Sequence, residues 1–133
     1  MFRLFAIITT IAALVVAAMQ LSAQSETKGW DVYDEASFMM AQGKGKTIVV
    51  DVYADWCPTC RTQAPILDQL RAERQSSDIL FVKVNFDDEK KFLRQHRVPR
   101  QSTVLVFKGE TEVARSIAQT NRQKLRGVVL GAL

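Results

Sequence analysis

The stretch KTIVVDVYA, residues 46–54, constrains the fold of this chain more than any other. Its β-branched side chains are stiff and fit the pleated surface of a strand better than the crowded wall of a helix. The run is apolar almost throughout, so both of its faces need cover, as in the middle of a parallel sheet. Asp51 alone interrupts it. A carboxylate is costly to bury without a partner, and burial raises its pKa. Asp51 could instead face solvent at a strand edge. Its apolar neighbours on both sides favour the buried position.

The rest of the chain supplies the cover. WDVYDEASFMMAQ, residues 30–42, sets Val32, Ala36, Phe38, Met39 and Met40 at roughly helical spacing, and Gly43 and Gly45 end the pattern. A second helix is expected from Pro58 to about Gln75, with Ile66, Leu67 and Leu70 on one side. ILFVKVNF reads as a second buried strand. DDEKKFLRQH reads as a short helix with acids in its first turn and bases later, which suits the helix dipole. STVLVF is a third strand, KGE a tight turn and TEVARSI an edge strand. Thr120 and Gln123 form a capping box for a last helix through Leu130. This order of elements predicts an α/β domain whose mixed sheet is covered on both faces.

At 133 residues and 47% hydrophobic, the chain has room for one domain with a real core. A net charge of +4, with no dense basic run interleaved with aromatics, gives no support to nucleic-acid binding. The first 23 residues stand apart from residues 30–133, with a polar linker at 24–29. Arg3 precedes an apolar run from Leu4 to Met19, broken only by Thr9 and Thr10, and no acid appears before Glu26. That is the layout of a secretory signal. Cleavage is expected between Ala23 and Gln24, with Ala18–Met19 as the other candidate. An uncleaved anchor is the alternative, since about 17 apolar residues can span a bilayer. A buried core helix fits worst, because the segment lacks a polar face. Either export reading places the domain where disulfides persist, in a periplasm if the source is bacterial.

The chain has two cysteines, Cys57 and Cys60. A structural zinc site needs four ligands, and His96 is the one histidine available to join them. Covalent haem attachment needs His directly after the second Cys, where this chain has Arg61. Redox chemistry explains the pair better. With a helix beginning at Cys57, Pro58 takes the first position, where its missing N–H costs nothing. The Cys57 sulfur then lies at the positive end of the helix, which favours the thiolate, the attacking species. Cys60 follows one turn later, near enough to close a disulfide and farther from water. Cys57 would attack a substrate disulfide, and Cys60 would resolve the mixed disulfide. A buried Asp51 could take the proton from Cys60.

The segment VVDVYADWCPTCRTQAP resembles the active-site region of the thioredoxin superfamily. The resemblance implies a three-layer fold, with helices on both sides of a central mixed sheet. It implies that Asp51 is the buried proton acceptor, Trp56 the active-site aromatic, Cys57 the nucleophile, Cys60 the resolving thiol and Pro65 the proline within the helix. VKVNFD resembles the family's central strand, with Lys83 near the buried Asp. STVLVFKGE resembles the strand and turn that follow. Two departures stand out. Pro58-Thr59 replaces the family's usual pair between the cysteines, a pair that tunes redox potential. Before TVLVF, where the family places a cis-proline that holds substrate backbone, this chain has Ser102, with Pro99 the nearest proline. Ser102 is expected at that site through a trans peptide, with Trp56, Pro58 and Thr59 completing the substrate surface. Arg94, Arg97 and Arg100 would border it and could draw acidic partners.

The expected function is exported thiol–disulfide exchange without a cofactor, by a monomer acting on protein disulfides and served by a membrane thiol–disulfide partner. The resemblance implies the reducing direction. A disulfide donor is the close alternative, and a metal-binding pair of CxxC motifs is another.

Overall fold

The structure is a computed structural model and describes residues 29–74 and 76–133. The signal or anchor segment and most of the linker lie outside the described residues. Within the described residues five strands form one sheet in the order β1-β3-β2-β4-β5: Asp31–Val32 (β1), Thr47–Tyr53 (β2), Ile79–Asn85 (β3), Thr103–Lys108 (β4) and Thr111–Ile117 (β5). The first three run parallel, whereas β4 is antiparallel to β2, and β5 to β4. The sheet is therefore mixed, and β2 at its centre has one neighbour of each sense. Among the described residues, four helices cover it: Glu35–Gly43 (α1), Pro58–Glu73 (α2), Lys90–Gln95 (α3) and Arg122–Gly131 (α4). Among the described residues, no helix is long and apolar enough to cross a membrane.

Strand alternation divides the core in two. Ile48, Val50 and Val52 of β2 point to one face, where Val82, Val84, Leu105 and Phe107 join Phe38 of α1 and Phe92 of α3. Val49 points to the other face and packs with Phe81, Val104 and Val106 under Ile66, Leu67 and Leu70 of α2 and Leu125 and Val129 of α4. The same two-residue period places Asp51 on the face of Val49, beneath the helix that carries the cysteines. Register sets Lys83 of β3 and Val104 of β4 beside it.

Three local expectations are corrected. Asp31 and Val32 belong to a short edge strand paired with Val82 and Lys83, and α1 starts at Glu35. Asp34 caps it, its Oδ1 accepting from the Ser37 N–H at 2.8 Å. Val32, Met39 and Met40 are consequently exposed, and Phe38 and Ala41 are the buried residues of α1. The helix over 87–96 begins only at Lys90, with no acid in its first turn. There Asn85 Oδ1 accepts from the Asp87 N–H at 2.8 Å, an Asx-turn that holds the acidic residues outside the helix. Finally, Asn121 rather than Thr120 caps α4, its Oδ1 accepting from the Lys124 N–H at 3.0 Å. Asn is the stronger of the two at this position.

Candidate active site

The sequence builds the site where β2 gives way to α2. After Tyr53 the chain turns, the Cys57 N–H donating to the Ala54 carbonyl at 3.1 Å. Cys57 is the N-cap of α2, and its sulfur accepts from the Cys60 N–H at 3.1 Å. Pro58 occupies the first helical turn, where no N–H is required. Both cysteines are free thiols and pack with Ala54 against Tyr53 and Phe86. Pro65 lies within α2, seven residues after Pro58, and is exposed.

Both cysteines are enclosed, Cys57 at 0% and Cys60 at 8% exposure. The reason is the loop before β4. It brings Ser102 Oγ to 3.1 Å from Cys57 Sγ and 3.1 Å from Cys60 Sγ. Ser102 is fully buried and adopts φ 63. A left-handed backbone at a residue other than glycine costs about 1–3 kcal/mol and persists only where surroundings over-determine it. Here they do. The Ser102 N–H donates to the Val52 carbonyl at 2.8 Å, and its own carbonyl accepts from the Ala118 N–H at 2.9 Å and Gln63 Nε2 at 3.3 Å. No cis peptide bond occurs among the described residues. Pro99 is exposed, and it is Ser102 that faces the cysteines.

The electrostatics separate the two thiols. Burial alone pushes the Cys57 thiol up, but hydrogen bonds from Cys60, Ser102 and Gln101 outweigh it and bring the thiol below its ordinary value. Cys60 moves the opposite way, raised by burial and by its bond to the Cys57 sulfur. Asp51 is buried, and burial pushes its carboxyl up to about 6 despite Lys83, whose Nζ lies 3.9 Å from Oδ2. The Lys83 ammonium sits over the rings of Trp30 and Tyr53, at 5.3 Å and 5.1 Å from their centroids. Trp30 Nε1 in turn donates to Asp68 Oδ1 at 2.6 Å.

Trp56 is 56% exposed beside Cys57, its indole N–H donating to Asp87 Oδ2 at 2.8 Å. Thr59 is half-buried and Pro58 is exposed. Arg94, Arg97 and Arg100 are exposed, with none of their side chains bonded to a thiol. Arg115 from β5 holds the loop that carries Arg97 and Arg100, donating to the His96 carbonyl at 2.6 Å and the Arg97 carbonyl at 3.0 Å. Among the described residues, no group of three or more His, Cys, Asp or Glu side chains is placed to hold a metal ion.

Sequence reasoning missed Gln63. It is fully buried on α2, its Nε2 donating to the carbonyls of Ser102 and of Gln119, the latter at 2.9 Å. Its Oε1 has no hydrogen-bond partner among the described residues. The signal was available, because Gln63 falls on the stripe that Cys60, Ile66, Leu67 and Leu70 define at helical spacing.

A capped, lowered thiol one helical turn from a raised one, in this α/β frame, defines a dithiol–disulfide oxidoreductase. The Thioredoxin family model matches residues 31–130, and the chain belongs to that family. Trxlp from Edwardsiella tarda has a solved structure that is 42% identical, with a TM-score of 0.68, covering 73% of this chain and 94% of that one. A thioredoxin of Chlamydia caviae is 33% identical over 78 residues, 59% of this chain and 74% of the relative. A thioredoxin-like protein of Fusarium culmorum is 38% identical over 68 residues, 50% of this chain and 56% of the relative. Thiol–disulfide oxidoreductase activity follows from this membership, with Cys57 and Cys60 as the exchanging pair and protein disulfides as the general class of substrate.

Proposed function

We propose that this protein is an exported reductase of envelope-protein disulfides, with Cys57 as nucleophile, Cys60 as resolving thiol and Asp51 as acceptor of the Cys60 proton. The observation that carries the exchange is the Cys57–Cys60 pair at the start of α2, with Asp51, a buried carboxyl with a pKa of about 6, on the sheet face beneath it. Asp51 takes the Cys60 proton when substrate is reduced and returns it in the reverse step, so the reducing direction rests on the likeness to thioredoxins. Export rests on the apolar, acid-free run that opens the sequence. An exported reductase needs electrons from across the membrane, so a membrane thiol–disulfide donor completes the cycle. Trp56, Pro58 and Thr59 border the thiols as the substrate surface, with Ser102 buried against both sulfurs.

The second reading, a disulfide donor, has its own support. Hydrogen bonds from Cys60 N–H and Ser102 onto the Cys57 sulfur stabilise the dithiol form, and stabilising the reduced form makes a couple more oxidising. The reduction potential decides between them. A value near about −270 mV fits the reductase and one near about −120 mV overturns it in favour of the donor. Cys60→Ala, expressed with its N-terminal segment intact, should accumulate mixed disulfides with envelope proteins through Cys57. Recovery of the chain in the cytoplasmic fraction alone would sink the export reading.

A further inference from the structure

The hydroxyl of Ser102 is equidistant from the two sulfurs, 3.1 Å from each. Every other polar group of the residue is already spent. Its N–H is bonded to Val52, and its carbonyl is bonded to Ala118 and Gln63. A hydroxyl carries one proton to donate, and a fully buried one needs a partner. Two sulfurs therefore compete for a single donor, and the charged one wins it, because hydrogen bonds to ionised acceptors are the stronger.

We propose that Ser102 is a catalytic residue whose single hydroxyl serves the two thiolates in turn, passing from Cys57 to Cys60 as the reaction proceeds. The inference rests on dithiol–disulfide exchange at this pair and is independent of export and of direction. In the reduced protein the hydroxyl donates to the Cys57 thiolate. That thiolate attacks one sulfur of the substrate disulfide. A Cys57–substrate bond forms, the substrate S–S bond breaks, and its electron pair leaves on the second substrate sulfur, which takes a proton. Cys57 is now a neutral disulfide sulfur and a poor acceptor. Rotation about the Ser102 Cβ–Oγ bond turns the proton to Cys60 without moving a heavy atom. Cys60 gives its proton to base, and the hydroxyl stabilises the thiolate left behind. This thiolate attacks Cys57 Sγ, the Cys57–Cys60 bond forms, and the mixed disulfide breaks, its pair leaving on the remaining substrate sulfur. Two electrons pass from the dithiol to the substrate, and Ser102 keeps its proton throughout.

The arrangement explains why the residue is clamped. Fixing N–H, carbonyl and φ holds the backbone, burial encloses the side chain, and the hydroxyl rotor has two useful settings, the two sulfurs. The neighbouring titratable groups are Tyr53, packed against the pair, and Asp51 with Lys83 on the same sheet face. None of these changes in the variants that test the idea.

The test uses the intact reduced protein and 5,5′-dithiobis(2-nitrobenzoate), an aromatic disulfide. Its first released thiol reports attack by Cys57 and its second reports resolution by Cys60. Ser102→Ala removes the hydroxyl. Ser102→Gly removes it too and suits the left-handed backbone, so it guards against a folding defect. Both variants should slow both releases at neutral pH by about tenfold or more, the scale of a hydrogen bond to a charged group. The pH profile of Cys57 alkylation by iodoacetamide should move upward with them. Two releases and a profile indistinguishable from wild type would overturn the proposal, and slowing of the first release alone would overturn the shared role. A wild-type protein that never yields the second thiol would instead overturn the exchange chemistry itself, and the hydroxyl's role with it.

Discussion

The two faces of the sheet are built from the same three central strands and are put to different uses. The face under α1 and α3 is apolar but for Thr103, whose hydroxyl is bonded to the Arg100 carbonyl. Phe38, Phe92 and Phe107 meet edge-on there, with Phe38 centroids 5.6 Å from each of the other two. The face under α2 and α4 has an equally apolar middle. Towards the start of α2, however, it also holds Asp51, Gln63 and Ser102, three buried polar residues. One face repays its burial in stability. The other spends some of it on groups whose protons and hydrogen bonds can change. A protein this small keeps its chemistry adjustable by confining it to one end of one face.

That contrast can be broken from either side. Phe92→Ala should have the largest effect, a loss of about 3–5 kcal/mol in denaturant unfolding, because it empties the aromatic hub. The pH profile of Cys57 alkylation in the remaining folded protein should not move. Asp51→Asn should act the other way. Burial raises the Asp51 pKa from 3.8 to about 6, so the folded protein binds its proton more tightly than the unfolded chain. The residue is therefore harmless below its unfolded pKa. Its cost grows as pH rises through 6 and levels off above. At 1.36 kcal/mol per unit this amounts to about 3 kcal/mol. Unfolding curves should show Asp51→Asn more stable by up to that amount at about pH 7.5, and equal to wild type at about pH 3.5. A variant less stable at both would show that the carboxylate is retained for structure.

A smaller effect sharpens the boundary between the faces. Gln63→Leu keeps the volume but strips the donors from the Ser102 and Gln119 carbonyls, and should cost about 1–2 kcal/mol. Unlike Phe92→Ala, it should also slow thiol release from the aromatic disulfide, since it loosens the Ser102 clamp. Asn121→Ala, far from the pair in sequence, should cost about 1 kcal/mol through its lost cap and leave the thiols untouched. Equal effects of these two variants on thiol reactivity would erase the distinction.

Much of this was legible in the sequence, because a buried strand leaves a dense local signal. The β-branched runs at 47–53 and 79–85 announced β2 and β3, and the stripe of Ile66, Leu67 and Leu70 announced α2. What escaped was decided by competition between neighbours. Val32 sits at helical spacing from Ala36, yet the cap at Asp34 closes the helix behind it and leaves Val32 to the sheet edge. The cap expected at Thr120 fell to its neighbour Asn121, the stronger residue at that position. The enclosure of Cys57 was out of reach for a different reason. It depends on a loop 45 residues away, whose left-handed turn at Ser102 no local propensity forecasts.

That enclosure has a consequence for survival as well as for turnover. A thiolate open to solvent meets every passing peroxide and climbs towards sulfinic acid, from which there is little return. Cys57, with none of its surface in water, presents no such target at rest. Enclosure slows every small reagent alike, peroxide and iodoacetamide included, so the resting thiolate is spared oxidation between encounters with a substrate.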